Sequence, residues 1–138
     1  MHWAVYYMGK REVIYIRTRG ALTDLYENRR MISEGLAEGE KHGVTKFLID
    51  DRDLTLGIGI ADIYYLPGGY GNLGVSRNCK VAIVWDVAMN NEEKFKFYET
   101  CAVNLGYRHR LFKDFNAALD WLTDCEIQRP PVANWTDN

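Results

Sequence analysis

Proline, cysteine and unbalanced charge are all scarce in this chain, and each scarcity removes a class of protein. Its 138 residues include three prolines, two of them side by side as Pro130-Pro131. Pro67 is therefore the one strong breaker inside the body of the chain. The three cysteines, Cys79, Cys101 and Cys125, are widely spaced and form no CxxC pair. That excludes a closed disulfide framework and reads as buried free thiols in a reducing cytosol. Net charge is −2. The basic residues are scattered, with a mild local excess at Arg17, Arg19, Arg29 and Arg30. Nucleic-acid binding through a broad surface needs many uncompensated cations, so no nucleic-acid partner is expected. No apolar run approaches membrane-spanning length, and Met1-His2-Trp3 leads straight into a strand pattern rather than a leader peptide. We expect a cytoplasmic protein with no membrane span, metal or cofactor.

What is present suits one globular domain. The chain is 47% hydrophobic and 26% charged, enough to fill a core. We place a single domain over 1–125 and a flexible C-terminal arm over 126–138, which Trp135 would pin to a surface.

The stretch Val44 to Gly57 organises the rest. Phe47, Leu48 and Ile49 form an apolar run of the kind found in a strand buried on both faces. It gives way to Asp50-Asp51-Arg52-Asp53. Ligands of open α/β sheets meet the protein just beyond such strand ends, so this cluster is the first candidate site. Before it, Trp3 to Met8 and Val13 to Thr18 predict an antiparallel hairpin, with Ile14, Ile16 and Thr18 on one face. A helix follows, capped by Thr23 or Asp24, with Leu25, Ile32 and Leu36 as its buried stripe and Gly43 as its stop. Gly35 and Gly39 weaken it by roughly 1 kcal/mol each relative to alanine. After Asp53 a short helix is expected over Ala61 to Leu66, then a mobile loop from Pro67 to Asn72. Cys79 to Trp85 predicts the next buried strand. Asn90 caps a helix from Asn91 to Leu105, Tyr107 to Phe112 is a strand, and Asp114 caps a last helix, Phe115 to Thr123. The order β-β-α-β-α-β-α-β-α implies an α/β fold: a mixed, mostly parallel sheet with an N-terminal hairpin and helices packed on it.

That order, with four motifs, resembles the SpoIIAA-like branch of the STAS/SEC14-like proteins. The motifs are Gly20-Ala21-Leu22-Thr23, Phe47-Leu48-Ile49-Asp50-Asp51-Arg52, Lys80-Val81-Ala82-Ile83-Val84, and the closing Leu111 to Leu122 segment; Asn104-Leu105-Gly106 also fits. The resemblance implies a STAS-like fold and a regulatory or binding role without catalysis. Anti-sigma-factor antagonists of this kind use a phosphorylatable serine after the central strand. Here that stretch is Leu56-Gly57-Ile58-Gly59-Ile60, with no hydroxyl. The phospho-switch is not carried over, and Thr55 is the nearest hydroxyl.

Asp50, Asp51 and Arg52 allow two readings. In one, the carboxylates grip a cation or a basic partner surface. In the other, they form a strand-end turn in which Arg52 pairs with neighbouring acids and Asp53 caps the next segment. A phospho-receiver would also use Asp86 and Lys113, but a receiver's acid pair follows the first strand of a fully parallel sheet, which this order does not supply. Tyr64, Tyr65 and Tyr70 flank the glycine-rich stretch. They suit a pocket for a small apolar ligand, a self-association surface, or ordinary packing. His2, His42 and His109 lack metal-ligand spacing. The reading from sequence is a non-enzymatic module that binds a protein partner or itself as a dimer. The alternative is a carrier or sensor of a small hydrophobic ligand, as the SEC14-like side suggests. An unrecognised enzyme is the remote third.

Overall fold

The computed structural model describes residues 1–89 and 91–123. The expected arm over 126–138, Cys125 and the Asn90 cap lie outside the described residues. Five strands form one sheet in the order β1-β2-β3-β4-β5. They are β1 His2–Met8, β2 Val13–Leu22, β3 Lys46–Leu56, β4 Lys80–Val84 and β5 Arg108–Phe112. β1 and β2 pair antiparallel, and every later pair is parallel. The α/β class and the hairpin-led mixed sheet are as the sequence predicts.

The strands follow one another in space as they do in sequence. Right-handed crossovers then place every connecting helix on the same face. Helices α1 (Leu25–His42), α2 (Ile60–Tyr65), α3 (Tyr70–Leu73) and α4 (Glu92–Asn104) cover that face, against Ile14, Ile16, Phe47, Val81 and Ile83. The last helix, α5 (Phe115–Thr123), folds back onto the opposite face and packs Ala118, Leu119 and Leu122 on Val13, Leu48, Ala82 and Val84. We call these the four-helix face and the α5 face. Among the described residues no helix is long and apolar enough to cross a membrane.

Three local differences from the sequence reading matter for the site. First, α1 buries Asn28, Met31, Gly35 and Gly39, while Leu25, Ile32 and Leu36 flank that line partly buried. The glycines explain the rotation. A Cβ on Gly35 would lie 2.6 Å from Ile16 Cδ1, and one on Gly39 2.8 Å from Phe47 Cζ. Their loss of helix propensity is the cost of bringing the α1 backbone close to the sheet.

Second, β3 does not end at the acidic cluster but runs on to Leu56. The cluster is therefore mid-strand rather than a turn. β4 pairs with β3 only as far as Asp50, whereas β2 follows it to Leu56. The bare edge beyond β4 is filled by a side chain. Asn91, at the start of α4, accepts from Leu56 N (3.3 Å) and donates to Leu54 O (2.9 Å), so its amide takes the place of a strand neighbour. The helix starts one residue later than expected, with Asn91 as its N-cap residue.

Third, the expected loop is a 3-10 turn over Pro67–Gly69 running into α3. Tyr70 is buried there and donates to or accepts from the Tyr98 hydroxyl at 2.6 Å. Burial of one large aromatic outweighs the turn propensity of the surrounding glycines.

Candidate functional site

The site begins with a fault in the β2–β3 ladder. Arg17 pairs with Asp50 and Arg19 with Asp53, so β3 spends three residues where β2 spends two. This is a β-bulge, and it re-aims the side chains around it. Asp50 points to the α5 face and Asp51 to the four-helix face, as their partners show.

On the α5 face, Arg52 Nε and Nη2 donate to both oxygens of Asp50, at 2.8 and 2.7 Å. The Tyr15 hydroxyl donates to the same carboxylate at 2.6 Å. Burial works against the Asp50 charge, but the Arg52 and Tyr15 hydrogen bonds prevail and hold its pKa below the usual range. Burial, reinforced by Asp50, pushes the Tyr15 hydroxyl up to about 12. Arg52 also lies over the Phe115 ring, 5.3 Å from its centroid. Further out, Arg17 donates to Asp53 at 3.0 Å. This is a self-contained ion-pair cluster beside a shallow depression lined by Tyr6, Met8 and Phe115.

On the four-helix face, Asp51 is buried with Thr18, whose hydroxyl lies 2.6 Å from Asp51 Oδ1 and 3.1 Å from the Asp50 carbonyl oxygen. Burial pushes the Asp51 carboxyl up to about 7, and the Asp50 charge adds to it. Asp51 lines a partly open, mainly apolar chamber of about 100 Å³ between the sheet and the four helices. Its walls include Ile16, Leu22, Leu54, Ile58, Ile63 and Leu66, and Asn28, Tyr70, Tyr98 and His109 also reach it. Tyr98 bridges Tyr70 and His109, its hydroxyl 2.8 Å from His109 Nδ1. Burial pushes His109 down to about 4, so its imidazole is neutral at neutral pH. Burial raises the Tyr70 and Tyr98 hydroxyls. Asn28 Nδ2 and His109 Nε2 are enclosed without a hydrogen-bond partner. Leaving such a group unpaired costs about 1–3 kcal/mol.

The residues singled out from sequence are thus divided. Asp50 and Arg52 form one cluster, while Asp51 and Tyr70 belong to the chamber on the other side of the sheet. Thr55 is half-buried near the end of β3. Tyr64 and Tyr65 are 58% and 68% exposed, ring against ring on α2, and do not line the chamber. Asp86 is exposed and accepts from Ala88 N at 2.9 Å, closing a turn after β4. Thr18, Asn28, Tyr98 and His109 were not singled out. The first two carried a readable signal. Thr18 shares the predicted strand face of Ile14 and Ile16, and Asn28 lies on the apolar side of α1 at helical spacing from Leu25 and Ile32. A polar residue on a core face is the informative exception.

Among the described residues no three His, Cys, Asp or Glu gather closely enough to hold a metal ion. The chain matches no protein-family model, and no curated protein is significantly similar to it.

Proposed function

We propose that this chain is a non-enzymatic binding module of the STAS-like kind, which encloses a small, mostly apolar molecule between its sheet and the four helices. The observation that carries the reading is the chamber: apolar walls, with two enclosed side-chain nitrogens, Asn28 Nδ2 and His109 Nε2, still without partners. Apolar lining with a few convergent polar groups is how small-molecule sites are built. The hairpin-led, mostly parallel sheet supports the STAS-like part of the proposal. The volume sets the scale of the guest. An apolar cavity of about 150 Å³ takes one benzene molecule. A chamber of about 100 Å³ admits something smaller and has no room for a diacyl lipid.

Thermal denaturation against a panel of small organic molecules tests this, paired with native mass spectrometry of the freshly purified protein. A guest at a hundred times its Kd stabilises by about 2.7 kcal/mol, which moves the melting temperature by several degrees. A protein that carries no small molecule and shows no saturable shift with any probe would sink the reading.

A second reading is favoured by α2. Ile60, Tyr64 and Tyr65 are all exposed there, and tyrosine is enriched at interfaces. Self-association through α2 predicts a concentration-dependent mass by light scattering, abolished by Tyr64→Ser with Tyr65→Ser. A constant monomer mass removes it.

A further inference from the structure

The chamber also carries information about the chemistry of its guest. We infer that the guest is a compact, uncharged molecule presenting an oxygen acceptor, of the ketone, ester or alcohol class, which receives a hydrogen bond from the Asn28 amide. This inference rests on the proposed binding function and narrows it.

The first support is Asn28. Its Nδ2 carries two protons, is enclosed, and has no partner. A buried donor is completed by an acceptor, and a cationic guest brings only further donors.

The second is a count of protons at Thr18. Its hydroxyl has one proton but faces two acceptors, the Asp50 carbonyl oxygen at 3.1 Å and Asp51 Oδ1 at 2.6 Å. Both bonds close together when Asp51 carries a proton of its own. Asp51 then donates to Thr18 Oγ, and Thr18 donates to the Asp50 carbonyl. Burial of Asp51 favours the same state. With Asp51 protonated, the chamber wall holds no net charge there and gives an ammonium group nothing to pair with. An anion fares no better: no lysine or arginine lines the chamber, and the ammonium of Met1, which does, is paired with Glu27 at 3.5 Å. The Tyr70 and Tyr98 hydroxyls are already engaged with each other and with His109.

Four probes of five heavy atoms and nearly one shape separate the possibilities: butanone, 2-methyl-1-butene, sec-butylammonium and propionate. Each is titrated into the ¹⁵N-labelled full chain at pH 6, following the Asn28 side-chain amide and the backbone amides of Ile16, Leu54 and Ile63. We expect saturable shifts with butanone, including the Asn28 amide. We expect the alkene to bind at least about tenfold more weakly, and neither ion to saturate. Asn28→Leu should erase the preference for the ketone over the alkene. If the alkene binds as tightly as butanone, the chamber remains a binding site and the acceptor requirement is overturned. Tighter binding of either ion overturns it as well. If no probe shifts any chamber amide, the binding function itself fails. Should Asn28→Leu not fold, the wild-type Asn28 side-chain resonances decide alone: unmoved at butanone saturation, they refute the hydrogen bond.

Discussion

The two faces of β3 treat neighbouring carboxyl groups in opposite ways. Asp50 and Asp51 are consecutive and both buried. Asp50 meets Arg52 and Tyr15 and is held ionised. Asp51 meets Thr18 inside an apolar chamber, where burial favours its neutral form. Depth alone does not set the charge of a buried acid; the partners that the pleat assigns to each face do. One step along the pleat is enough to separate a structural ion pair from a polar group facing a chamber.

The sharpest way to break the comparison is to vary pH. Unfolded, Asp51 ionises near 3.9; folded, it ionises near 7. Between those values the folded state holds the extra proton, so stability falls as pH rises and levels off above about 7. At about 1.4 kcal/mol per pH unit over about three units, the loss is on the order of 4 kcal/mol. Asp51→Asn abolishes it. In urea titrations from pH 4 to 8, the variant should gain on the wild type by that amount as pH rises to 7. A pH-independent difference would mean that Asp51 is an ordinary carboxylate.

His109 tilts the other way. Its folded pKa near 4 lies below the unfolded value of about 6.5. As pH falls through that window the unfolded chain takes up a proton that the folded one refuses, and about 3 kcal/mol is lost. His109→Gln should remove this loss and leave the Asp51 slope exposed. The wild type is then flatter between pH 4 and 6.5 than either variant. Equal slopes for the wild type and His109→Gln would show that the imidazole is not held neutral.

Much of this was readable in the residues. The order of elements along the chain follows from alternating apolar runs and breakers, and α5 starts at Phe115 as predicted because Asp114 caps it, with Oδ2 accepting from Ala117 N. The chamber was less legible. Periodicity points to Leu25, Ile32 and Leu36 on α1, because it scores hydrophobicity and cannot see that two glycines let a backbone approach more closely than leucines do. The acidic run suggested a strand end, since charge rarely sits in a buried strand. The partners that make it tolerable, Tyr15 and Thr18, lie on β2, more than thirty residues away in sequence. Tyr70 read as loop because glycine and proline dominate its neighbours, while its partner Tyr98 lies in another helix.

On the α5 face, Arg52→Met tests whether the pair is structural. It removes both side-chain hydrogen bonds to Asp50 and the guanidinium over Phe115, and keeps an apolar stem of similar length and the backbone N–H bond to Asp50. Breaking a fully buried pair costs about 3–5 kcal/mol. Arg52 is partly exposed, so about 2 kcal/mol is expected at pH 7, read from urea midpoints. The Asp50 pKa should rise towards or above the ordinary carboxylate range, measurable by carboxyl ¹³C titration. An unchanged Asp50 titration would show that burial, Tyr15 and the Arg52 backbone N–H set its state without the guanidinium.

The smallest effect sharpens the comparison most. Arg17–Asp53 at 3.0 Å is nearly as short as Arg52–Asp50 at 2.7 Å, and it joins β2 to β3 where the inner pair lies within β3. It differs in exposure: 57% and 58% for its side chains, against 41% and 3% for the inner pair. If distance governs, double-mutant cycles on the two pairs will give similar coupling. If burial governs, the outer pair will show none that can be resolved, because water and side-chain entropy offset an exposed contact. Salt separates the cases further. In 1 M salt the screening length falls to about 3 Å, which erases an exposed attraction and largely spares a buried one. We expect coupling between Arg52 and Asp50 to survive high salt, and Asp53→Asn to leave stability unchanged in either condition. Comparable, salt-sensitive coupling in both pairs would place Asp50 in water, contrary to the closed β3 environment on which its ionised state depends.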